Sequence, residues 1–173
     1  MSDAETGKIS GEAKRGTGPG SRGALVLTGK SGSFVEISKP IVDTSRSFSV
    51  TACVKLNQLS GHQTVVGIDG KEASGFFLQL REDTGSFGFT MLPDAESGGG
   101  NPTTATAEDT PDTDRWYHIA GVYDASKQNI SFYLDGILQQ TVPFRRSVQA
   151  TGPTAIGRGK FGTVAQSGSS EFG

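Results

Sequence analysis

One cysteine, Cys53, stands in 173 residues, so no disulfide closes within the chain and cysteine spacing carries no information about compartment. Cys53 lies inside the apolar run ACV, where a thiol ordinarily serves as a small buried hydrophobe, and no base partner for it can be identified. No apolar run approaches the roughly 20 residues of a membrane span, and MSDAETGKIS lacks a charged head followed by an apolar stretch. The expectation is a soluble chain with no membrane insertion and no export signal in these residues. Long runs of Ala, Leu, Glu and Lys, which sustain helices, are also missing. Charge of one sign is scarce too: 16 Lys and Arg against 18 Asp and Glu leave a net charge of −2. No segment gathers basic residues into the stripe that phosphate neutralisation needs, which sets nucleic acid aside as a partner.

What is present is glycine, 25 residues of it, about twice the usual share. Many turns and an all-β fold follow, in a chain of a length that suits one domain. Residues 1–22 are polar and Gly-rich and read as a flexible N-terminal arm or linker; the domain runs over 23–173. ALVLTG and SGSFVEIS suit two strands joined by a turn. In SFSVTACVKL, Phe48, Val50, Ala52, Val54 and Leu56 share one face of a half-buried strand. QTVVGID, GFFLQLRE and SFGFTML follow at intervals of about ten residues, the spacing of a sandwich or barrel. Residues 93–114 form a long polar loop, with a short strand near Thr103 to Ala107. Trp116 to Tyr123 is apolar on both alternating faces, as in a central strand covered on both sides, and ISFYLDGILQQTV is a hairpin turned at Asp135 and Gly136. The last segment holds one short strand and then loop.

Four motifs, in order, carry a family resemblance. RWYHIAGVYDASKQNISFYLDG resembles the W-Y-H-V-A, Y-D and L-Y-V-D-G hairpins of laminin-G-like jelly rolls in the concanavalin A-like lectin/glucanase superfamily. GALVLTGKSGSFVEI, SFSVTACVKL and TAIGRG match its flanking strands, so that roughly Gly23 to Gly162 is covered. The resemblance implies a two-sheet antiparallel jelly-roll sandwich. It also implies an extracellular or cell-surface bacterial setting, with ligands bound at loops or on the concave face, often beside a calcium ion. Three departures stand out. The family's acidic positions fall here on Leu27, Thr28, Gly29 and Ser33; Cys53 replaces a common Trp; and the closing G-x-I-D-E-V-R-I-Y strand is missing after Phe172. The expectation is a C-terminally truncated domain lacking its final strand, with a neighbouring strand edge unpaired.

Glucanases on this fold pair two carboxylates about 5 Å apart. On a strand these would sit two or four residues apart, and no E-x-D-x-x-E run occurs among the eight glutamates. No G-x-S-x-G elbow exists, and His118, inside a strand, reads as a satisfied, partly buried histidine. No catalytic residue is assigned. EDTPDTD crowds Glu108, Asp109, Asp112 and Asp114 into one loop; Asp109, Asp112 and Asp114 are candidate calcium ligands, and turn-forming Asp beside Pro111 accounts for them equally well. Asp69, before Gly70, is a hairpin turn or a rim ligand. Trp116 is a sugar platform by type, but its two-sided strand places it in the core. The ligand-binding candidates near loops and strand ends are His62, Asp69, Arg81, Phe144, Arg145, Arg146, Arg158 and Phe161. The reading is a non-catalytic carbohydrate-binding module of a larger protein. The alternatives are a protein-interaction or adhesion domain on the same fold, a purely structural spacer and, further off, an accessory domain of a glycoside hydrolase or a divergent glycosidase or polysaccharide lyase.

Overall fold

A computed structural model describes residues 6–30, 32–162, 164–167 and 170–172. Strands are numbered along the chain. One sheet runs, in spatial order, β1 (Lys8–Ser10), β4 (Phe34–Ile37), β13 (Thr154–Ile156), β6 (Gln63–Asp69), β7 (Ser74–Leu80), β8 (Phe87–Met91) and β9 (Thr103–Thr106). The other runs β12 (Ile137–Pro143), β11 (Asn129–Leu134), β10 (Trp116–Asp124), β5 (Phe48–Leu56), β16 (Ser170–Phe172), β3 (Gly23–Val26) and β2 (Lys14–Thr17). β14 (Arg158–Phe161) and β15 (Val164–Ser167) form a two-stranded sheet of their own, with an isolated bridge from Phe161 to Ala73 in the β6–β7 connection. All ladders are antiparallel, and the two large sheets form the sandwich of the concanavalin A-like fold.

The core lies where alternation sends apolar residues of both sheets inward. β5 behaves as its sequence predicts: Val54 and Leu56 are fully buried, with Phe48, Val50 and Ala52 packed against the same cluster. Phe48 sits amid a knot of rings, 5.2 Å from Phe76, 6.0 Å from Phe89 and 6.1 Å from Tyr123 between centroids. Tilted and edge-on pairs of this kind add about 0.5–1.5 kcal/mol each beyond the area they bury. Leu134 faces Ile137 across the Asp135–Gly136 turn, as the hairpin reading requires.

Four expectations are corrected. The arm 1–22 is tied down from Lys8 onward, because β1 pairs with β4 and β2 with β3. β3 and β4 are no hairpin: they lie in different sheets. The terminal segment holds four strands rather than one, and β16 fills three positions between β3 and β5, where the closing strand was expected to be missing. Finally, β10 is covered on one face only. Tyr117, Ile119 and Tyr123 are buried, whereas His118 is exposed and Trp116 is half-buried. Trp116 stands on the outer face under Lys55, whose ammonium lies 5.6 Å from its ring. Opposite His118, Cys53 is half-buried on that same face rather than interior.

Candidate functional site

β6, β7 and β8 are buried along their whole lengths. Their inward residues, among them Phe76, Leu78, Leu80, Phe87 and Phe89, fill the main core. Period 2 then sends Phe77, Gln79 and, one step past the strand, Arg81 to the outer face. Register brings neighbours alongside: Phe77 is opposite Thr90, Thr90 opposite Thr104, and Gln79 opposite Thr64 and Gly88. Gly88 makes the bed for Arg81, since a Cβ there would stand 3.2 Å from Arg81 Cδ. The guanidinium thereby reaches across β8, where Nη1 donates to Thr90 Oγ1 at 3.2 Å and Thr104 Oγ1 at 3.0 Å. Nη2 donates to Asp83. Buried Nε–H has no acceptor among the described residues, and such a donor calls for water or a ligand oxygen. Thr64 Oγ1 donates to Gln79 Oε1 at 3.2 Å, which orients the amide.

A separate hairpin builds the wall. β14 lies over β6 and β7 because Gly159 has no side chain: a Cβ would fall 2.7 Å from Phe77 Cε1 and 2.8 Å from Thr64 Oγ1. Lys160 N–H donates to Ser74 Oγ at 2.9 Å, and its ammonium donates to the carbonyls of Gly70 and Lys71. At the end of β14, Phe161 stands half in solvent, 51% exposed, with its ring 6.5 Å from Phe77. Beneath it Phe77, Ala73 and Leu92 form a small apolar cluster of their own, apart from the main core. The result is a trough of about 430 Å³, floored by Gln79, Thr90, Thr104 and Arg81 and walled by Phe77, Phe161, His62 and Pro102. That volume is in the range of small-ligand sites, and so is the pairing of apolar walls with a few fixed polar groups. His62 Nδ1 accepts the Glu82 backbone N–H in a long contact of 3.5 Å.

Three of the sequence candidates, His62, Arg81 and Phe161, thus meet in one place. Gln79, Thr90 and Thr104 escaped notice, although the outward alternation of GFFLQLRE held the signal for the first. Other candidates have structural positions. Arg158 donates from Nη1 to Asp69 at 2.6 Å and from Nη2 to Glu36 at 3.0 Å, and it lies 4.8 Å from the Phe34 ring centre. Asp69 is buried and also accepts from Ser74 Oγ at 2.9 Å. Both carboxylates are thereby engaged by the guanidinium, which ties β14 to β6 and β4. Phe144 is a core residue, 4% exposed and 5.5 Å from Tyr123, because the chain after β12 dips inward. Arg145 and Arg146 are exposed on the loop beyond it.

Asp109, Asp112 and Asp114 point to no shared centre: among the described residues, no three of His, Cys, Asp and Glu group so as to hold a metal ion. The loop serves as scaffold instead, with Asp112 N–H donating to Tyr117 Oη at 2.8 Å and Asp114 N–H to the Leu56 carbonyl at 2.9 Å. The neighbouring loop is set by Asp94, which accepts the Ser97 hydroxyl at 2.7 Å and the N–H groups of Glu96 and Ser97. These bonds, the hydroxyl's foremost, hold its carboxyl below the ordinary range.

A family model described as the concanavalin A-like lectin/glucanases superfamily matches residues 28–170, and the chain belongs to that family. Among solved structures it resembles domain 4 of AbnA, an extracellular GH43 arabinanase of Geobacillus stearothermophilus in complex with arabinotriose. The TM-score is 0.72 at 18% identity, over 96% of this chain and 80% of that one. It also resembles the binding domain of Paraclostridial Mosquitocidal Protein 1, with a TM-score of 0.70 at 11% identity over 97% and 44% of the two chains. A third is the binding domain of botulinum neurotoxin DC in complex with rat synaptotagmin II, with a TM-score of 0.69 at 10% identity over 96% and 41%. The chain spans less than half of each toxin domain. A comparison with curated proteins found no match. At these identities the structural likeness establishes the fold.

Proposed function

We propose that this chain is a non-catalytic carbohydrate-binding module of a larger extracellular bacterial protein, and that it takes its sugar in the trough on the outer face of β7, β8 and β9. The observation that carries this reading is the pairing, in one trough, of the half-exposed Phe161 ring with the Arg81 guanidinium, the Gln79 amide and two threonine hydroxyls. A sugar ring has an apolar face and a hydroxylated rim, so an aromatic wall with planar donors beside it meets both. Support comes from the arabinanase domain, whose complex holds arabinotriose. The separation of Glu36 and Asp69 from the trough, and their engagement by Arg158, argue for binding over hydrolysis.

The test is a glycan-array screen of the purified chain, run with calcium and again with chelator. Binding to a defined sugar class, lost in Arg81→Ala and kept in chelator, is the expected result; no carboxylate lines the trough among the described residues. A blank array from a folded sample overturns the reading. A protein partner is the second reading, favoured by Ile137 and Leu138, which stand 67% and 51% exposed at the β11–β12 turn. That reading predicts loss of binding to a protein ligand in Leu138→Asp with the array blank.

A further inference from the structure

Beside the trough lies a second pocket of about 220 Å³, on the side of the Ser97–Gly100 loop. Phe161 and Pro102 line both. They form a ridge rather than a barrier, since Phe161 is half in solvent and Pro102 is exposed. A compact ligand fills one pocket. A molecule that fills both must be extended, with one repeating unit on each side of the ridge and its apolar face against the Phe161 ring.

Charge narrows the class further. The cation on the trough floor, Arg81, already has Asp83 on Nη2 and two threonine hydroxyls on Nη1. Lys160, on the hairpin, is directed to the carbonyls of Gly70 and Lys71. The second pocket adds a carboxylate, Glu72, and no cation among its described lining. An acidic sugar would have to displace Asp83 from Arg81 and then approach Glu72, and like charges so placed disfavour binding. Hydroxyl groups meet no such conflict, because a guanidinium edge, an amide and threonine hydroxyls can each donate or accept beside them.

We propose that the ligand is a neutral oligosaccharide lying across both pockets, with successive sugar units on either side of the Phe161–Pro102 ridge. This rests on the sugar-binding reading above. The experiment is titration calorimetry of the whole chain against arabino-, xylo- and cello-oligosaccharides from mono- to tetrasaccharide, with oligogalacturonates of the same lengths alongside. Expected are an affinity that climbs from mono- to trisaccharide in a neutral series and oligogalacturonates weaker by about tenfold or more. Phe161→Ala removes the length dependence. Asp83→Asn, at an exposed position, frees the Arg81 cation and narrows the gap to oligogalacturonates by about tenfold. Both variants are first checked for unchanged thermal unfolding.

A neutral series that binds as tightly at one unit as at four overturns this inference while leaving the sugar reading intact, and so does a preference for oligogalacturonates. An Asp83→Asn variant with unaltered discrimination does the same. A chain that binds neither series overturns this inference, and with a blank glycan array it overturns the sugar reading too.

Discussion

Arg81, just past β7, and Arg158, on the β14–β15 hairpin, are two arginines that differ in how completely the protein satisfies them. Arg158 has a side chain 12% exposed, both of its terminal nitrogens on carboxylates and a ring alongside. Arg81 has one exposed carboxylate, two hydroxyls and an Nε–H without an acceptor among the described residues, at the floor of an open trough. A satisfied guanidinium holds chain segments together; a partly satisfied one beside open volume is equipped to meet something else. Residue type alone does not separate the two cases, and completeness of pairing does.

The sharpest way to break this comparison is to truncate each arginine. Arg158→Ala strands Asp69, whose side chain is 7% exposed, and loss of one partner of a buried pair costs about 3–5 kcal/mol; urea unfolding should show a loss of that size. Arg81→Ala should leave the unfolding midpoint nearly in place and weaken sugar binding at least about tenfold, ~1.4 kcal/mol by calorimetry. Equal stability losses in the two variants would erase the distinction.

Acid provides a gentler probe. The hydrogen bond from Arg81 holds the Asp83 carboxyl below its ordinary 3.8. A carboxyl lowered by folding contributes stability in full above its unfolded value and loses it as pH falls through the lower, folded value. The stability difference between the wild-type chain and Asp83→Asn should therefore be constant from neutrality down to the ordinary 3.8 and shrink only below it, as tracked by urea unfolding across that range. A break at or above the ordinary value would mean that Asp83 is not held by Arg81. The smallest expected effect is at Trp116. With its ring on the far sheet under Lys55, Trp116→Ala should leave sugar affinity unchanged and cost about 0.5–1 kcal/mol from the lost cation–π contact.

Local pattern made much of the scaffold legible. The alternation of Phe48 to Leu56 and the two-residue turn at Asp135 depend on neighbours in sequence, and both stand as read. What escaped depends on distant partners. Lys8–Ser10 and Lys14–Thr17 are short, polar edge strands whose only signature is the ladder they join. β3 and β4 are close in sequence yet lie in opposite sheets. Trp116 shows why two-sided apolarity misleads: among the described residues no layer covers the outer face of β10, and the ring makes its contact with Lys55 instead. Phe144 read as a loop residue until the fold turned it onto Tyr123. Of the site, His62, Arg81 and Phe161 were each nameable, but their meeting is not local. It depends on β7 alternation, on the open bed at Gly88 and on a hairpin that folds back over the sheet.

That hairpin has an evolutionary consequence. β14 and β15 form their own two-stranded unit and, among the described residues, join the sandwich through side-chain bolts and an isolated bridge from Phe161 to Ala73. Changes in its length or in the residue at Phe161 alter the reach of the aromatic wall while every ladder of the sandwich stays paired. Selection can therefore reshape the trough without trading away foldability, and the domain can diversify at this one wall on an unchanged chassis.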